Sequence, residues 1–244
     1  MEGDSINKEN NQTCILSYNS RGFSNIKQDF MRFLVSDTVT GGKLPILCKQ
    51  ENFVLRDNSY KITNALPGFK ILIKQAVKTD LSLGRPSNGM FIAFPDTIKN
   101  LVTDVSPDFW RVQAAKFKFQ SSSLLVINSY FPTDPQRDNA NEAELLDTLN
   151  HIKNILSITE FDSVIWTGDI NSDFRRNSSH TTTVQETLDE VGLLSAWDRF
   201  DIDFTATHEL LGQTFTSILD HFFWSSNLNS SVVDAGVMYL PDNK

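Results

Sequence analysis

Four short, strongly apolar segments, each closed by an isolated polar residue, constrain this chain more than any other feature. ILSY runs into Asn19, ILCKQ into Glu51, LLVINS into Tyr130 and VIWTG into Asp169. Apolar runs this short, rich in aliphatic and β-branched residues and bounded by turn formers, suit buried strands. TCILSYN opens the series at Thr13, and LPILCKQE follows Gly41-Gly42. Between these two, Ile26, Phe30, Phe33 and Leu34 fall at spacings that share one helical face. Further strands are expected over 68–74, 89–94, 109–119 and 124–131, separated by Pro, Gly, Asn and Asp. A long helix is predicted over 142–157, with Leu145, Leu149, Ile152 and Leu156 as its stripe and Leu146 and Ile155 widening it. SVIWTGD comes next, then a short helix over 184–191 ended by Gly192. QTFTS, SILDHFFW and VVDAGVMYL read as closing strands. Strand-helix-strand at each end, with strands between, predicts an α/β fold with two mixed sheets packed together.

Length and composition narrow this further. A chain of 244 residues suffices for one large core without disulfides, and 18 Phe suggest a thick aromatic interior. Residues 1–12, MEGDSINKENNQ, read as a disordered tail, and 13–244 as a single domain without repeat or linker. With 22 Lys plus Arg against 30 Asp plus Glu, the net charge of −8 excludes nucleic-acid binding by bulk positive charge. It leaves room for basic residues focused on one face. No apolar run approaches the roughly 20 residues of a membrane span, and the polar start is no secretory signal. The expectation is a soluble intracellular protein with no membrane partner. Cys14 and Cys48 sit inside apolar runs and are expected to be buried free thiols, too few for a zinc site or a disulfide framework.

Strand ends at one edge of a sheet are where α/β folds gather ligands. Asn171, two residues after Asp169, falls on the same side if the segment stays extended. Each residue has a plainer reading: Asn and Asp after a strand are common turn formers, Glu51 a solvated charge, Tyr130 a core tyrosine with a wet hydroxyl. Only the set points to chemistry.

That set resembles the endonuclease/exonuclease/phosphatase superfamily, and within it the endonuclease domains of LINE-type, non-LTR retrotransposons. ILSYNSRG is similar to the opening strand and its Asn, CKQENF to the Gln-Glu motif and NSYFPT to the Asn-x-Tyr-x-Pro motif. TGDINSDF is similar to the Gly-Asp-x-Asn motif and TFTSILDHFFWS to a late Asp-bearing strand. All occur in family order over 13–239. The resemblance implies a four-layer α/β sandwich and phosphoester hydrolysis with Mg2+ or Mn2+. Magnesium takes oxygen ligands and keeps several waters, so one or two carboxylates suffice. Glu51 would be the metal ligand with Asn19 beside it. Asp169, ionised at neutral pH by default, would orient and deprotonate the attacking water. Asn171 would hold the phosphate or nucleophile in line, Tyr130 would donate to the phosphate, and Asp220 would point into the same edge.

Two departures from the family pattern stand out. Where many relatives carry a supporting Asp two residues after the first Asn, this chain has Arg21, which sharpens the retrotransposon likeness and could touch a DNA phosphate. The family's catalytic His lies in a Ser-Asp-His motif on a later strand, and this chain reaches Lys244 about where that motif would begin. The final strand is therefore expected to be missing. His221 is no substitute, because alternation turns it away if Asp220 faces the site. His151 on the long helix, His180 in an expected mobile loop and His208 in another loop read as surface or packed residues.

Arg175 and Arg176, directly after the Gly-Asp-x-Asn loop, rank first as DNA contacts, ahead of Lys153, Arg85 and Lys99. The leading expectation is a metal-dependent DNA-nicking endonuclease domain of retrotransposon origin, nuclear by resemblance. In that family an adjoining reverse transcriptase, absent from this chain, uses the nick. The alternatives are a catalytically dead truncated remnant, or another superfamily phosphoesterase such as an abasic-site endonuclease or small-molecule phosphatase.

Overall fold

Two mixed sheets form the centre of the computed structural model, which describes residues 12–77, 86–133, 139–200, 208–209 and 216–237. The first half of the chain supplies β1 (Thr13–Asn19), α1 (Asn25–Thr40), β2 (Leu44–Gln50), α2 (Tyr60–Ala65), β3 (Phe69–Val77) and β4 (Ser87–Pro95). These strands make a four-stranded sheet in the order β1-β2-β4-β3. The second half supplies β5 (Val102–Asp104), β6 (Val112–Lys118), β7 (Ser123–Tyr130), α3 (Asn139–Ile158), β8 (Ser163–Asp169), α4 (Ser179–Val191) and β9 (Leu193–Ser195). α5 (Ala196–Arg199), β10 (His208–Glu209), β11 (Thr216–Ser217) and β12 (Asp220–Ser225) complete it. Its six-stranded sheet runs β5-β6-β7-β8-β12-β9, while β10 and β11 pair only with each other.

Three apolar clusters explain the layering. Ile46, Cys48, Ile92 and Phe94 of the first sheet meet Ala115, Phe117 and Val126 of the second, forming the core between the sheets. Met31, Val35 and Ile62 pack α1 and α2 against the outer face of the first sheet. Leu145, Leu149, Ile152, Val184 and Leu188 pack α3 and α4 against the outer face of the second. The result is helix, sheet, sheet, helix, the four-layer sandwich expected. Both inner strands of each parallel pair are apolar on both faces, which is why they read as continuous runs.

One pair of parallel strands in each sheet sets the position of the strand ends. β1 pairs in parallel with β2, placing Asn19 opposite Gln50. β7 pairs in parallel with β8, placing Tyr130 opposite Asp169. β12 runs antiparallel to β8 and brings Asp220 opposite Asp169. Gly168 is required by the same packing: at φ +145, an added Cβ would lie 2.0 Å from the Ser129 carbonyl oxygen of β7.

Several expectations are corrected. The buried stripe of α1 is Phe30, Met31, Leu34, Val35 and Thr38, whereas Ile26 and Phe33 are exposed. Leu146 is also exposed, so the α3 stripe is narrower than predicted. Helix α4 begins at Ser179 because the Ser178 hydroxyl accepts from the Thr181 N–H, so His180 lies in a helix and not in a loop. Strand β6 starts only at Val112, since Phe109 instead stacks on His151. Residues 232–237 have no regular structure, and 238–244, with the position expected for Ser-Asp-His, lie outside the described residues. So do Arg85 and residues 1–11, most of the expected tail. Cys48 is fully buried, but Cys14 near the free side of β1 is only half-buried; both are free thiols. Among the described residues no helix is long and apolar enough to cross a membrane.

Candidate active site

The polar residues that close β1, β2, β7, β8 and β12 meet at one edge of the sandwich. The Asn19 side-chain amide donates to Asp169 Oδ2 at 2.6 Å. The Tyr130 hydroxyl donates to Glu51 Oε1 at 3.0 Å. The Asn171 N–H donates to Asp169 Oδ1 at 3.0 Å, while its side-chain amide donates to the Phe131 carbonyl at 2.8 Å. Each sheet thus contributes to both pairs. Asn19, Glu51, Tyr130, Asp169, Asn171 and Asp220, all expected from the sequence, lie together.

The backbone is strained at this edge. Arg21, Glu51, Phe53 and Asn171 all hold positive φ, at 46°, 50°, 55° and 51°. Left-handed geometry in residues with a Cβ persists only where surroundings enforce it, and such residues gather at functional sites. The Gly22 N–H enforces it here by donating to the Glu51 carbonyl at 2.7 Å.

Asp169 is almost wholly buried. Burial, then the neighbouring Asp220 carboxylate, push its carboxyl well above the ordinary range, against the lowering bonds from Asn19 and the Asn171 N–H. The ordinary ionisation expected from the sequence is therefore corrected for this chain without metal. Burial and the Glu51 and Asp169 charges also push the Tyr130 phenol upward, so it keeps its proton and remains a donor.

Glu51, Asp169 and Asp220 crowd acidic groups into one place, which a divalent cation would relieve. Among the described residues no trio of His, Cys, Asp and Glu forms a protein-only cage. The donor set of Glu51 carboxylate and Asn19 carbonyl oxygen suits a hard cation that keeps most of its waters. Asn19 Oδ1 receives one N–H, from Arg21 at 3.1 Å, and has a second lone pair for such a cation.

The arginines are occupied. Arg175 makes a two-pronged pair with Asp173, Nε to Oδ1 at 2.6 Å and Nη2 to Oδ2 at 2.5 Å. Arg176 Nη2 donates to the Ser217 hydroxyl at 2.7 Å. Arg21, by contrast, lies exposed on the loop after Asn19. Lys153 pairs with Glu190 on the outer helices, and Lys99 lies in the turn after β4, away from the strand ends.

The histidines turn elsewhere. His221 is buried, with Nε2 facing the Ser172 carbonyl at 2.8 Å and the Ile218 carbonyl at 3.2 Å. Its ring stacks on Phe223, as strand alternation predicts. His180 Nδ1 lies 2.7 Å from the Ser172 hydroxyl, and both are buried. His151 stacks on Phe109. The side chain of His208 is outside the described residues.

Four supporting residues were not anticipated. Gln50 and Asn128 are buried between the sheets and bonded at 2.6 Å, tying β2 to β7 directly behind Glu51 and Tyr130. Arg111 donates to the Tyr130 carbonyl at 3.0 Å and to Glu144 at 2.7 Å, bracing the end of β7 against α3. Lys49 is wholly buried, and burial pushes its ammonium well below the usual range. A polar residue inside an apolar strand was the available signal for Gln50, Asn128 and Lys49.

Comparison with solved structures then decides the fold. An AP endonuclease from Leishmania major superposes at a TM-score of 0.68 with 15% identity, over 90% of this chain and 81% of that one. The chain has the endonuclease/exonuclease/phosphatase fold. The same fold aligns with the endonuclease domain of TRAS1, a telomere-specific non-LTR retrotransposon, at 0.61 with 14% identity, covering 88% and 85% of the two chains. A mannosyl-6-phosphatase from Bacteroides thetaiotaomicron aligns at 0.56 with 18% identity, covering 87% and 85%. No protein-family profile matches the chain by sequence, and no curated protein does. At these identities the likeness concerns architecture, and the endonuclease/exonuclease/phosphatase fold carries enzymes with different substrates, so the site must carry the functional argument.

Proposed function

We propose that this chain is a divalent-metal-dependent phosphodiesterase that cleaves DNA, of the nicking type found in non-LTR retrotransposons. The observation that carries this reading is the pair of cross-sheet bonds, Asn19 to Asp169 and Tyr130 to Glu51, which gather acid, amide and phenol at one edge. Glu51 and Asn19 would hold Mg2+ or Mn2+, which when bound supplies charge neutralisation at the phosphate. Asp169 accepts a proton from water held against it, and the Asn19 amide fixes which carboxylate oxygen is turned to that water. Tyr130, kept protonated, donates to a phosphate oxygen. Asn171, fixed at positive φ by its bond to the Phe131 carbonyl, borders the same space. Arg21, exposed on the loop after Asn19, is the cation best placed for a DNA phosphate. Arg175 and Arg176 belong to the same contact surface, but through a loop pinned by Asp173. The resemblance makes a reverse transcriptase the natural partner and the nucleus the place of action.

The test is conversion of supercoiled plasmid to open circles with Mg2+ or Mn2+, run beside an abasic duplex and a sugar phosphate. Nicking of intact plasmid that EDTA and Asp169→Ala both abolish supports the reading. Turnover of the abasic duplex or sugar phosphate alone assigns the site to a different phosphoester.

One observation favours a second reading, metal and DNA binding without hydrolysis. Each described histidine side chain is engaged away from the Asp169 carboxylate. Mn2+ binding with no nicking on any of the three substrates would establish it.

A further inference from the structure

Lys49 lies in the interior of β2, opposite Tyr18 of β1 and Phe91 of β4, with no exposed surface. A buried ammonium is costly unless its hydrogens are taken up. Its partners carry no charge. Nζ donates to the Ser20 hydroxyl, and to the Gly22 carbonyl at 3.2 Å and the Gln50 carbonyl at 3.5 Å. It also stands 5.6 Å from the ring centres of both Tyr18 and Phe23.

All but one of these oxygen partners belong to the short loop that follows Asn19. The Ser20 hydroxyl donates onward to the Gly22 carbonyl, and the Gly22 N–H donates to the Glu51 carbonyl. Lys27 holds the same loop from α1, through the Ser20 and Arg21 carbonyls. Two left-handed segments therefore lie back to back, Arg21-Gly22 at φ +46 and +125 and Glu51 at +50. One carries Asn19 at its start, and the other is Glu51 itself. Lys49 is the side chain that touches both from beneath.

We propose that Lys49 is a positioning residue for the cation-binding pair Glu51 and Asn19. It touches neither the cation nor the substrate. Its ammonium holds the Ser20–Gly22 turn down on the end of β2, and that fixes the separation and aim of the two oxygen donors. Outer partners of metal ligands typically govern affinity in this way, and their loss weakens metal binding about 10–100-fold. The inference rests on the phosphodiesterase reading above, because it supposes that Glu51 and Asn19 bind a cation.

The experiment titrates Mn2+ alone into the whole chain, followed by electron paramagnetic resonance, with no substrate present. Thermal unfolding of each metal-free variant is recorded in parallel. Lys49→Met keeps the length and apolar stem but removes the ammonium. Ser20→Ala leaves the lysine in place and removes its nearest acceptor. Both are expected to weaken Mn2+ binding about tenfold or more. Wild-type affinity in both variants, with or without a change in melting temperature, would overturn the proposal and leave Lys49 a purely structural residue. If Lys49→Met does not fold, Ser20→Ala alone decides, by the same criterion. Glu51→Gln separates the two levels of the argument. If the wild type binds no Mn2+, or Glu51→Gln binds it equally well, the phosphodiesterase reading itself falls and the Lys49 role falls with it.

Discussion

The Asn19 carboxamide donates to the Asp169 carboxylate at 2.6 Å, joining the two sheets through residues 150 positions apart. This bond opposes what burial and Asp220 do to the same carboxyl, since it favours the ionised form. Removing it by Asn19→Ala should leave Asp169 still more reluctant to ionise. Cleavage should fall about 10²–10³-fold, the usual loss for one well-aimed donor. Carboxyl NMR of the metal-free protein should show the Asp169 midpoint moving to higher pH. An unchanged midpoint would mean that the bond is incidental.

Asp169→Asn should separate stability from activity. A carboxyl whose folded pKa is raised adds stability below its unfolded pKa and loses it as pH rises through the folded value. At neutral pH, Asp169 therefore works against the fold, and its neutral isostere should stabilise by about 0.5–2 kcal/mol. The same change should cost about 10²–10⁴-fold in cleavage. Calorimetry at pH 7.5 and the plasmid assay, run on one preparation, check both halves.

His221 makes the fold sensitive to mild acid. Burial lowers its pKa to about 4 from an ordinary 6.5. A base with a depressed folded pKa contributes stability above the unfolded value and loses it as pH falls through the folded one. The loss should begin near pH 6.5 and reach about 3 kcal/mol by pH 4, at about 1.4 kcal/mol per unit. Urea unfolding at pH 7.5 and 5.5 would show it as a lower midpoint. His221→Phe, stacked on Phe223 in the same way, should flatten that difference.

Gly168→Ala should be among the most damaging single-methyl changes. Its Cβ would meet the Ser129 carbonyl oxygen at 2.0 Å, on a backbone at φ +145. Overlap and dihedral strain together should cost at least about 3 kcal/mol. Recovery of a folded protein with wild-type melting would show that β7 and β8 can separate locally.

The two thiols should differ in kind. Cys48 is fully buried and burial pushes its pKa upward, so a thiol reagent should label it only after unfolding. Cys14 is half-buried and should be modified first in the native protein. Mass spectrometry after timed labelling resolves the order.

The strand ends were legible because each apolar run stopped at one polar residue, and a run buried on both faces has nowhere else to put one. Asn19, Glu51, Tyr130, Asp169 and Asp220 could all be found in this way. Lys49, Gln50 and Asn128 were not, because a polar residue within such a run gives no sign of which sheet it will face. The start of α4 was missed because its cap, Ser178, lies in a polar stretch resembling a loop. Ile26 and Phe33 misled because apolar spacing marks a helix face without saying which face another layer covers. The raised pKa of Asp169 depends on Asp220, 51 positions later, and no local pattern contains it.

The order in which the acidic groups occur along the chain has a consequence for biosynthesis. Glu51 emerges early, Asp169 much later, and Asp220 only with β12. A ribosome-bound chain that has not yet delivered β12 lacks a carboxylate that crowds Asp169, and its β8 has an unpaired side. A growing chain therefore cannot hold the three-carboxylate arrangement until β12 has emerged and folded, so the centre is assembled near the end of translation and not piece by piece.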